Sequence, residues 1–546
     1  MFKSPQQMLT HWEETAPDHV LLHQPVNRQW QTYSWKRVMD EARRIATALG
    51  AMGLEPGDRV GLISKNCAHW LIADFAIMAG GFVSVPIYPT ANAKTIDYVL
   101  RHSEAKACFV GKLDDFKQQQ SGFPEDLPTI AFPYPNTMPC DHRWDDLLVA
   151  NEPLSSLAEP QAEDIMTLLY TSGSTGNPKG AVHNYASFQF VGTVVGKFLE
   201  VDPEDRVLSY LPLAHCTERA YVEGSAIYNN SCLYYNESLE TFKADLTHCR
   251  PTFFGSVPRL WKKFQLGILQ KMPQEKLDFM LKIPIVSGMV KKKVQAGLGL
   301  DQARWLGSGT APIARALLEW WESIDMPIKE GWGMTETFAI GTNLPPGEPH
   351  KVGTIGKPLP EVDIKIGDND EILIKCPSLM VEYYKEPEMT AEAFTEDGYL
   401  KTGDCGAIDS DGYVSITGRA KEIFKTAKGK YVAPVPIESL IAQNPLIEQA
   451  CVVGIGRSQP VALVQLAAEG VGDKDLARQR LEDTLALVNG KLESHERLDR
   501  IIVVSEEWTP ENELLTPTLK LKRDKLESKY QEMIEAEGRG VEFEAA

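Results

Sequence analysis

Residues 165–180 read Ile-Met-Thr-Leu-Leu-Tyr-Thr-Ser-Gly-Ser-Thr-Gly-Asn-Pro-Lys-Gly. The apolar run at 165–169 predicts a buried strand, and the stretch of hydroxyls and glycines after it predicts a turn. Glycines let backbone N–H groups approach phosphate oxygens, and hydroxyls donate further hydrogen bonds. Lys179 adds a mobile positive charge. The segment therefore predicts a loop that cradles a triphosphate.

The spacing within this loop excludes the P-loop of many kinases and ATPases, because no GxxxxGK[ST] pattern is present. A flexible Ser/Gly linker is the alternative interpretation. The flanking strand and the Pro178-Lys179-Gly180 ending favour a specific turn instead. The candidate phosphate-binding residues are Thr171, Ser172, Gly173, Ser174, Thr175, Gly176 and Lys179.

Outward from the loop, apolar runs alternate with amphipathic stretches. Residues 59–63, 68–79 and 82–87 predict strand, helix and strand. The order recurs where the run 303–306 enters a glycine turn and Pro312 opens a helical stretch to Trp321. This rhythm predicts an α/β fold with parallel sheets covered by helices.

The pattern changes in the second half of the chain. Alternating apolar residues at 362–374 predict antiparallel strands, a small β-barrel-like part. We place a domain boundary after Gly418, so that 1–418 form a large N-terminal domain and 419–546 a small α+β domain. The final residues, 535–546, are expected to fray. The elements predicted for the small domain are strands at 451–455, 461–466 and 501–504 and a helix at 476–492.

Composition limits the possible partners and compartments. The chain has 546 residues, of which 43% are hydrophobic and 24% charged, as in a multi-domain globular protein. With a net charge of −19, binding to nucleic acid or an anionic membrane would need a local basic patch. The nine cysteines lack metal-ligand spacing, which favours a reducing compartment. We expect no signal peptide, no transmembrane segment, no nucleic-acid partner and a cytoplasmic location.

The loop at 170–180 resembles the phosphate loop of the adenylate-forming superfamily, which includes acyl-CoA synthetases, luciferases and the adenylation domains of peptide synthetases. Further segments resemble the family in the same order along the chain. Several details, such as Pro212-Leu213-Ala214-His215 with Glu218-Arg219, are similar to long-chain fatty acyl-CoA synthetases. The matching segments are 211–219, 307–312, 331–336, 398–404, 418–419 and 514–523.

This resemblance implies how ATP is held. Trp332 would offer its aromatic face to adenine, and Gly309 would let the backbone approach the base from the other side. Asp404 would accept both ribose hydroxyls, Arg419 would reach the ribose or a phosphate, and Glu336 would hold Mg²⁺. A turn-capping aspartate and a surface glutamate are the structural alternatives for the two acids. The other expected ATP-binding residues are Thr310, Gly331, Gly333, Met334 and Thr335.

The resemblance also implies the first chemical step. Lys520 would bridge the substrate carboxylate and the α-phosphate while pyrophosphate leaves, with Lys179, Thr175 and Glu336 as further catalytic residues. A solvated basic face is the alternative for Lys520. His215 would lie at the mouth of the acyl pocket, although a core histidine fits equally well. Three aromatic residues either line an acyl tunnel or belong to the core, namely Phe253, Phe254 and Trp261.

For the second step, the resemblance implies that the C-terminal domain rotates about Lys421 and that Lys428 and Gly429 bind CoA. Residues 419–430 include five basic residues and one acidic residue, which suits CoA phosphates but also a solvated loop. The expected enzyme is an AMP-forming acid–thiol ligase that uses ATP, Mg²⁺, CoA and a medium- or long-chain fatty acid. The alternatives are delivery to a carrier protein, a non-catalytic nucleotide-binding module and a light-emitting oxygenase. A homodimer is one option for its assembly.

Overall fold

The computed structural model describes residues 2–171, 177–420, 422–444, 446–467, 474–509, 512–516 and 520–544. Its strands, in chain order, are β1 (Val20–Val26), β2 (Gln29–Ser34), β3 (Arg59–Ile63), β4 (Val83–Ile87), β5 (Ala105–Val110), β6 (Thr129–Ala131), β7 (His142–Arg143), β8 (Ile165–Thr171), β9 (Lys179–Asn184), β10 (Arg206–Ser209), β11 (Cys232–Tyr235), β12 (Phe253–Ser256), β13 (Trp305–Ser308), β14 (Lys329–Glu330), β15 (Thr342–Asn343), β16 (Lys357–Pro358), β17 (Asp363–Ile366), β18 (Glu371–Lys375), β19 (Leu400–Ile408), β20 (Val414–Arg419), β21 (Phe424–Lys425), β22 (Tyr431–Val432), β23 (Ile447–Val453), β24 (Val461–Leu466), β25 (Arg500–Val504) and β26 (Gly540–Phe543).

Several helices begin at side-chain caps that the sequence supplies. The side chains of Ser4, Ser34 and Asn184 each accept a hydrogen bond from a backbone N–H of the first turn. The helices are α1 (Pro5–Thr15), α2 (Trp35–Ala51), α3 (Ala68–Ala79), α4 (Ala93–His102), α5 (Phe116–Gln119), α6 (Trp144–Ala150), α7 (Tyr185–Leu199), α8 (Cys216–Glu218), α9 (Ser225–Asn229), α10 (Phe242–Cys249), α11 (Pro258–Lys271), α12 (Gln274–Leu281), α13 (Pro284–Leu298), α14 (Arg315–Ser323), α15 (Pro387–Ala393), α16 (Pro434–Ile441), α17 (Lys474–Asn489), α18 (Arg523–Lys529) and α19 (Gln531–Glu535). Arg219–Gly224 form a π-helical turn, and Gln120–Gly122, Thr335–Thr337 and Asp368–Asp370 form 3₁₀ turns.

Two seven-stranded sheets form the body of the N-terminal part. Their strand orders are β7-β6-β5-β3-β4-β8-β9 and β14-β13-β12-β10-β11-β1-β2. Neighbouring strands are parallel except in the hairpins β8–β9 and β1–β2. Strand β4 and helix α3 are buried along their whole length, as their continuous apolar sequences require. The predicted α/β fold class is confirmed.

The β-barrel-like part is a four-stranded antiparallel sheet in the order β17-β18-β19-β20. One face buries Ile364, Ile372, Ile374, Leu400 and Val414 in an apolar cluster. The register of β19 and β20 pairs Asp404 with Arg419. This sheet therefore brings two predicted ATP-binding residues together on neighbouring strands.

The C-terminal part is an α+β layer after β20. Its sheet has the order β23-β24-β25-β26. One face packs against apolar residues of α16 and α17, and the other against residues of α18 and α19. The position of the domain boundary at 418/419 stays a prediction. Within the described ranges, no helix has both the length and the apolar character that crossing a membrane requires.

Two local expectations were wrong. The segment 535–546 does not fray throughout, because Gly540–Phe543 pair in parallel with β25. The buried side chain of Arg500 holds this end by donating to the carbonyl oxygens of Met533, Ile534 and Ala536. The helix expected from Pro312 begins only at Arg315, because residues 309–314 form a loop after β13.

Candidate active site

The predicted phosphate loop closes a hairpin at the edge of one seven-stranded sheet. Strands β8 and β9 are antiparallel, and Thr171 lies opposite Lys179. The loop therefore begins and ends at half-buried residues on adjacent strand ends. Five of its predicted residues lie outside the described residues, namely Ser172, Gly173, Ser174, Thr175 and Gly176.

Lys179, Tyr383 and Glu336 form one cluster beside this hairpin. The Lys179 ammonium lies 5.4 Å from the centre of the Tyr383 ring. The Tyr383 hydroxyl donates a hydrogen bond of 2.7 Å to Oε1 of Glu336. Burial, together with the Glu336 carboxylate, raises the pKa of Tyr383, so the phenol remains a donor. Sequence reasoning missed Tyr383, because it lies in no recognised motif and is 47 residues from its partner.

Glu336 is buried in the short turn Thr335–Thr337, not placed on the surface. Its carbonyl oxygen accepts a 2.7 Å hydrogen bond from the N–H of Met380. The carbonyl oxygen of Thr335 accepts a 2.8 Å hydrogen bond from Nε2 of His183. Burial lowers the pKa of His183 to about 4, so its imidazole is neutral at physiological pH. Backbone contacts thus fix the direction of the Glu336 side chain.

The surroundings of Glu336 fit a particular kind of magnesium site. Mg²⁺ usually takes one or two protein carboxylates and completes its shell with water and substrate phosphate oxygens. Across the described part of the chain, no group of three or more His, Cys, Asp or Glu side chains is arranged to hold a metal ion. A single buried carboxylate near Lys179 therefore fits a nucleotide-bound ion, and it does not fit an all-protein metal cage.

The loop after β13 lies against the segment after β14. The N–H of Gly331 donates a 2.9 Å hydrogen bond to the carbonyl oxygen of Ser308. An added Cβ at Gly309 would lie 3.2 Å from the carbonyl oxygen of Gly331, and one at Gly331 would lie 2.7 Å from Nδ2 of Asn343. Thr310 has a φ of +67°, which turns the backbone sharply at this point. A side chain at Gly309 would therefore crowd the segment after β14, and one at Gly331 would clash with Asn343 of β15.

Trp332, Asp404 and Arg419 form a second polar cluster. The indole Nε1–H of Trp332 donates a 2.8 Å hydrogen bond to Oδ2 of Asp404. Nε of Arg419 lies 3.0 Å from Oδ1 of the same carboxylate. Asp404 is buried within strand β19, so it is not a turn cap. The remaining residues of this segment, Gly333, Met334 and Thr335, lead from Trp332 to the buried Glu336.

Lys520 reaches this cluster from the C-terminal part. Its N–H donates to Oγ1 of Thr516, and Leu515 pairs with Leu521 in an antiparallel bridge. Residues 517–519 lie outside the described ranges. Burial lowers the pKa of Lys520, and the Arg419 charge lowers it further. The carboxylates of Asp404 and Glu336 act on the same ammonium in the opposite direction. Lys520 is thus close enough to interact electrostatically with both acids.

His215 is the N-cap residue that precedes the short helix α8. Its Nδ1 accepts a 3.2 Å hydrogen bond from the N–H of Thr217, and its ring lies 6.5 Å from that of Tyr88. Burial, with a smaller effect from Lys520, lowers the pKa of His215 to about 3. The imidazole is therefore neutral at physiological pH and carries its proton on Nε2. This geometry suits packing and hydrogen bonding but not proton transfer near neutral pH.

Comparison with known proteins agrees with this geometry. The AMP-binding enzyme family matches residues 9–384, and the AMP-binding enzyme C-terminal domain matches residues 421–537. The chain belongs to the AMP-binding enzyme family. Fatty acyl-CoA synthetase A of Dictyostelium discoideum is 30% identical over 572 residues, which cover 92% of this chain and 85% of that protein. The long-chain-fatty-acid–CoA ligase FadD15 of Mycobacterium bovis is 29% identical over 97% of this chain and 96% of its own.

Solved structures give the same fold. An anthranilate CoA ligase in complex with anthranoyl-AMP aligns with a TM-score of 0.80 and 22% identity over 97% of this chain and 98% of that chain. ATP-bound MatB from Rhodopseudomonas palustris aligns with a TM-score of 0.78 and 21% identity over 98% of this chain and 100% of that chain. The family, fold class and ligase class predicted from the sequence are confirmed.

Some predicted site residues of this AMP-binding enzyme lie apart from the clusters. Lys428 and Gly429 occupy the exposed turn between β21 and β22, where Gly429 has a φ of +75°. Lys421 lies outside the described residues. The core alternative for the aromatic residues agrees with the structure, because Phe254 and Trp261 are buried with ring centres 5.5 Å apart. Phe253 is likewise buried.

The motif at 211–219 is anchored by buried ionisable side chains that sequence reasoning left without a role. Oε1 of Glu218 accepts hydrogen bonds from the Ser209 hydroxyl at 2.8 Å and from the Tyr210 N–H at 3.1 Å. Burial raises the pKa of Glu218 to about 8. The guanidinium of Arg219 lies 2.8 Å from the buried carboxylate of Asp74. These contacts fix the chain on both sides of His215.

Proposed function

We propose that this chain activates a medium- or long-chain fatty acid with ATP and then joins it to CoA. The first half-reaction forms acyl-AMP and pyrophosphate, and the second forms the thioester and AMP. The proposal is supported above all by the approach of Lys520, from the C-terminal part, to Asp404, Arg419 and Glu336 of the N-terminal part. Family membership supports the same reaction class.

In the first half-reaction, the fatty carboxylate attacks the α-phosphorus of ATP. Negative charge gathers on the phosphate oxygens, and the cations Lys520 and Lys179 offset it. Such chemistry depends on positioning and electrostatics, so no side-chain nucleophile is required. Cys216 fits this view, since burial raises the pKa of its thiol to about 11 and keeps it protonated. Thr175, in the phosphate loop, is proposed to donate to the triphosphate.

Trp332, Gly309, Thr310 and Asp404 are proposed to hold the nucleoside, with Arg419 at its ribose or phosphate. Magnesium, when bound beside Glu336, would neutralise charge on the phosphate oxygens. The protein's own contribution there is the orientation of the carboxylate by the Tyr383 hydroxyl. That hydrogen bond limits the rotation of the carboxylate.

In the second half-reaction, the 419–546 domain is proposed to rotate about Lys421 and bring Lys428 and Gly429 to CoA. The exposed, basic turn that carries both residues supports a role in binding phosphates. The names of the relatives refer to fatty acids, which supports a fatty substrate for this chain as well. A cytoplasmic location and a homodimeric state are further parts of the proposal, and sedimentation velocity tests the second.

One assay tests the reaction. The purified protein is incubated with ATP, Mg²⁺ and a series of acids from acetate to oleate, with CoA, with a carrier protein, or with neither. AMP, acyl-AMP and thioester are measured by mass spectrometry. We expect AMP and acyl-CoA with the longer acids, and acyl-AMP when CoA is omitted. Thioester on the carrier alone would favour the acyl-AMP ligase alternative, and ATP binding without AMP formation would favour the non-catalytic module.

A further inference from the structure

The crossover from β12 to its parallel neighbour β13 carries more helix than the connection needs. One helix is enough to return a chain to the next parallel strand, yet α11, α12 and α13 all lie between these two strands. Helices α12 and α13 contact each other and are joined by the short link Lys282-Ile283. We name residues 274–298 the α12–α13 hairpin.

Large apolar side chains cover the outer surface of the α12–α13 hairpin. Phe279 is 66% exposed, Ile285 81% and Met289 59%. Ile283, in the link, is 39% exposed. The inner surface is also apolar, because Leu277 and Val290 are buried in the core cluster below. The exposed residues are therefore not needed to attach the hairpin, and several large exposed apolar side chains on one helical hairpin indicate an interaction site.

Lysines are interspersed with these apolar residues along the hairpin. Lys276, Lys282, Lys292 and Lys293 are exposed on the hairpin, in a chain whose net charge is −19. Lys291 differs from them, since its ammonium lies 2.9 Å from Asp325. The hairpin also carries two exposed acids, Glu275 and Asp278. Free lysines therefore outnumber acids on this surface, contrary to the charge of the whole protein.

We propose that the α12–α13 hairpin docks the protein on the surface of an anionic lipid bilayer. On α13, Ile285, Met289 and Lys292 follow at helical spacing and share the outward face. Apolar side chains of such a helix enter the boundary between headgroups and acyl chains, while lysines meet anionic headgroups. An acidic protein partner would satisfy the lysines but not Phe279 and Ile285. The combination of both features favours a bilayer.

This docking does not depend on the proposed reaction. Docking would nevertheless affect the proposed reaction, because long-chain acids partition into bilayers. A docked enzyme would meet its apolar substrate where that substrate is concentrated. The failure of the docking test would leave the reaction assay unaffected, and a negative reaction assay would leave vesicle binding unaffected.

Flotation of the full chain with vesicles tests the proposal. We expect binding to vesicles of phosphatidylcholine mixed with phosphatidylglycerol, weak binding to phosphatidylcholine alone, and a loss of binding from 0.1 to 1 M salt as the Debye length falls from about 10 to about 3 Å. Lys292→Ala with Lys293→Ala should lower the partition coefficient about 30-fold, which corresponds to about 1 kcal/mol per lysine. Ile285→Ser with Met289→Ser should lower it at least about tenfold.

Matched controls separate the hairpin from general effects. Val149 and Leu239 are 90% and 80% exposed elsewhere, so Val149→Ser with Leu239→Ser should leave binding unchanged. Lys36→Ala with Lys106→Ala removes two other exposed lysines and should do the same. Circular dichroism confirms that each variant folds. Absent binding of the unaltered protein to anionic vesicles, or equal binding by the hairpin variants, would overturn the proposal. So would loss of a dimer in the hairpin variants without any vesicle binding.

Discussion

The carboxylate of Asp404 is held on both oxygens by protein groups. Trp332 donates to one oxygen, and Arg419 lies beside the other. A carboxylate oxygen has a second lone pair, so each can still accept a ribose hydroxyl. The indole of Trp332 then has two roles, because its ring is proposed to lie on adenine while its N–H orients the Asp404 carboxylate. Separating these roles requires a substitution that keeps the ring and removes the donor.

Trp332→Phe is that substitution. It keeps an aromatic face and removes the hydrogen bond to Asp404, and a hydrogen bond to a charged group is worth about 1.5–3 kcal/mol. We expect the KM for ATP to rise about tenfold or more, with a smaller change in kcat. Steady-state kinetics at saturating fatty acid measure both constants, and Trp332→Ala should be worse than Trp332→Phe. An unchanged KM for ATP in the phenylalanine variant would refute the alignment role.

Lys520→Ala should separate the two half-reactions. Loss of a cation that faces the accumulating charge should lower ATP–pyrophosphate exchange by at least about 100-fold. Transfer from supplied acyl-AMP to CoA should be largely retained, because the lysine is proposed to act only in adenylation. Lys522→Ala, two residues away, is the matched control and should keep both activities. Equal losses in both half-reactions would show that Lys520 has been assigned the wrong role.

Among single elements, the π-helical turn Arg219–Gly224 contains a buried ion cluster. Arg219 lies 2.8 Å from Asp74 and 3.2 Å from Glu223, and all three side chains are fully buried. Burial raises the pKa of Glu223 well above its ordinary value, although the neighbouring Arg219 charge acts in the opposite direction. The turn joins α8 to α9 and thereby carries the motif of His215.

Arg219→Met should destabilise the protein strongly. It removes the cation and leaves a buried carboxylate unpaired, which costs about 3–5 kcal/mol. Urea denaturation followed by circular dichroism measures the loss. Arg315→Met is the control, because its pair with Glu319 is exposed on both sides and is worth less than about 1 kcal/mol. A similar effect of the two substitutions would mean that the buried cluster contributes no special stability.

The elements that sequence predicts well are those whose apolar period is unbroken. The bounds expected at 59–63 and 68–79 match β3 and α3. Strand β26 was missed because its four residues include Glu542 and follow polar residues, and only tertiary pairing with β25 stabilises it. Tyr383 was missed for a related reason, since nothing local marks a tyrosine whose partner is distant in sequence. The exposed apolar residues of the α12–α13 hairpin could not be predicted either, because the sequence does not show which of its apolar residues pack into the core cluster.

For the molecule as a whole, buried histidines link stability to pH. The pKa of His69 is lowered to about 3 and that of His183 to about 4, mainly by burial. In the unfolded chain a histidine has a pKa of about 6.5. Below that pH the unfolded state therefore binds protons that the folded state does not, and stability falls as the pH falls.

We expect the free energy of unfolding to decline between pH 6.5 and 4, by about 1.4 kcal/mol per pH unit for each such histidine. His69→Gln should reduce the slope of this decline by about 1.4 kcal/mol per pH unit, which is the contribution of one histidine. Urea denaturation at half-unit steps of pH gives the pH dependence of the free energy of unfolding for the unaltered protein and for His69→Gln. His142→Gln replaces a histidine that is only partly buried, and it serves as the control. Parallel slopes for His69→Gln and the unaltered protein would contradict the assignment.

The ion pair between Arg259 of α11 and Glu448 of β23 joins the N-terminal and C-terminal parts at the surface. Both side chains are partly exposed, so the pair is worth at most about 1 kcal/mol. In the proposed cycle the small domain turns between the two half-reactions, and this contact would form and break once in each turnover. A weak ion pair suits an interface between domains that move, because a strong ion pair would slow each rotation of the small domain. Fluorescent labels on either side of the pair would therefore count catalytic events one molecule at a time.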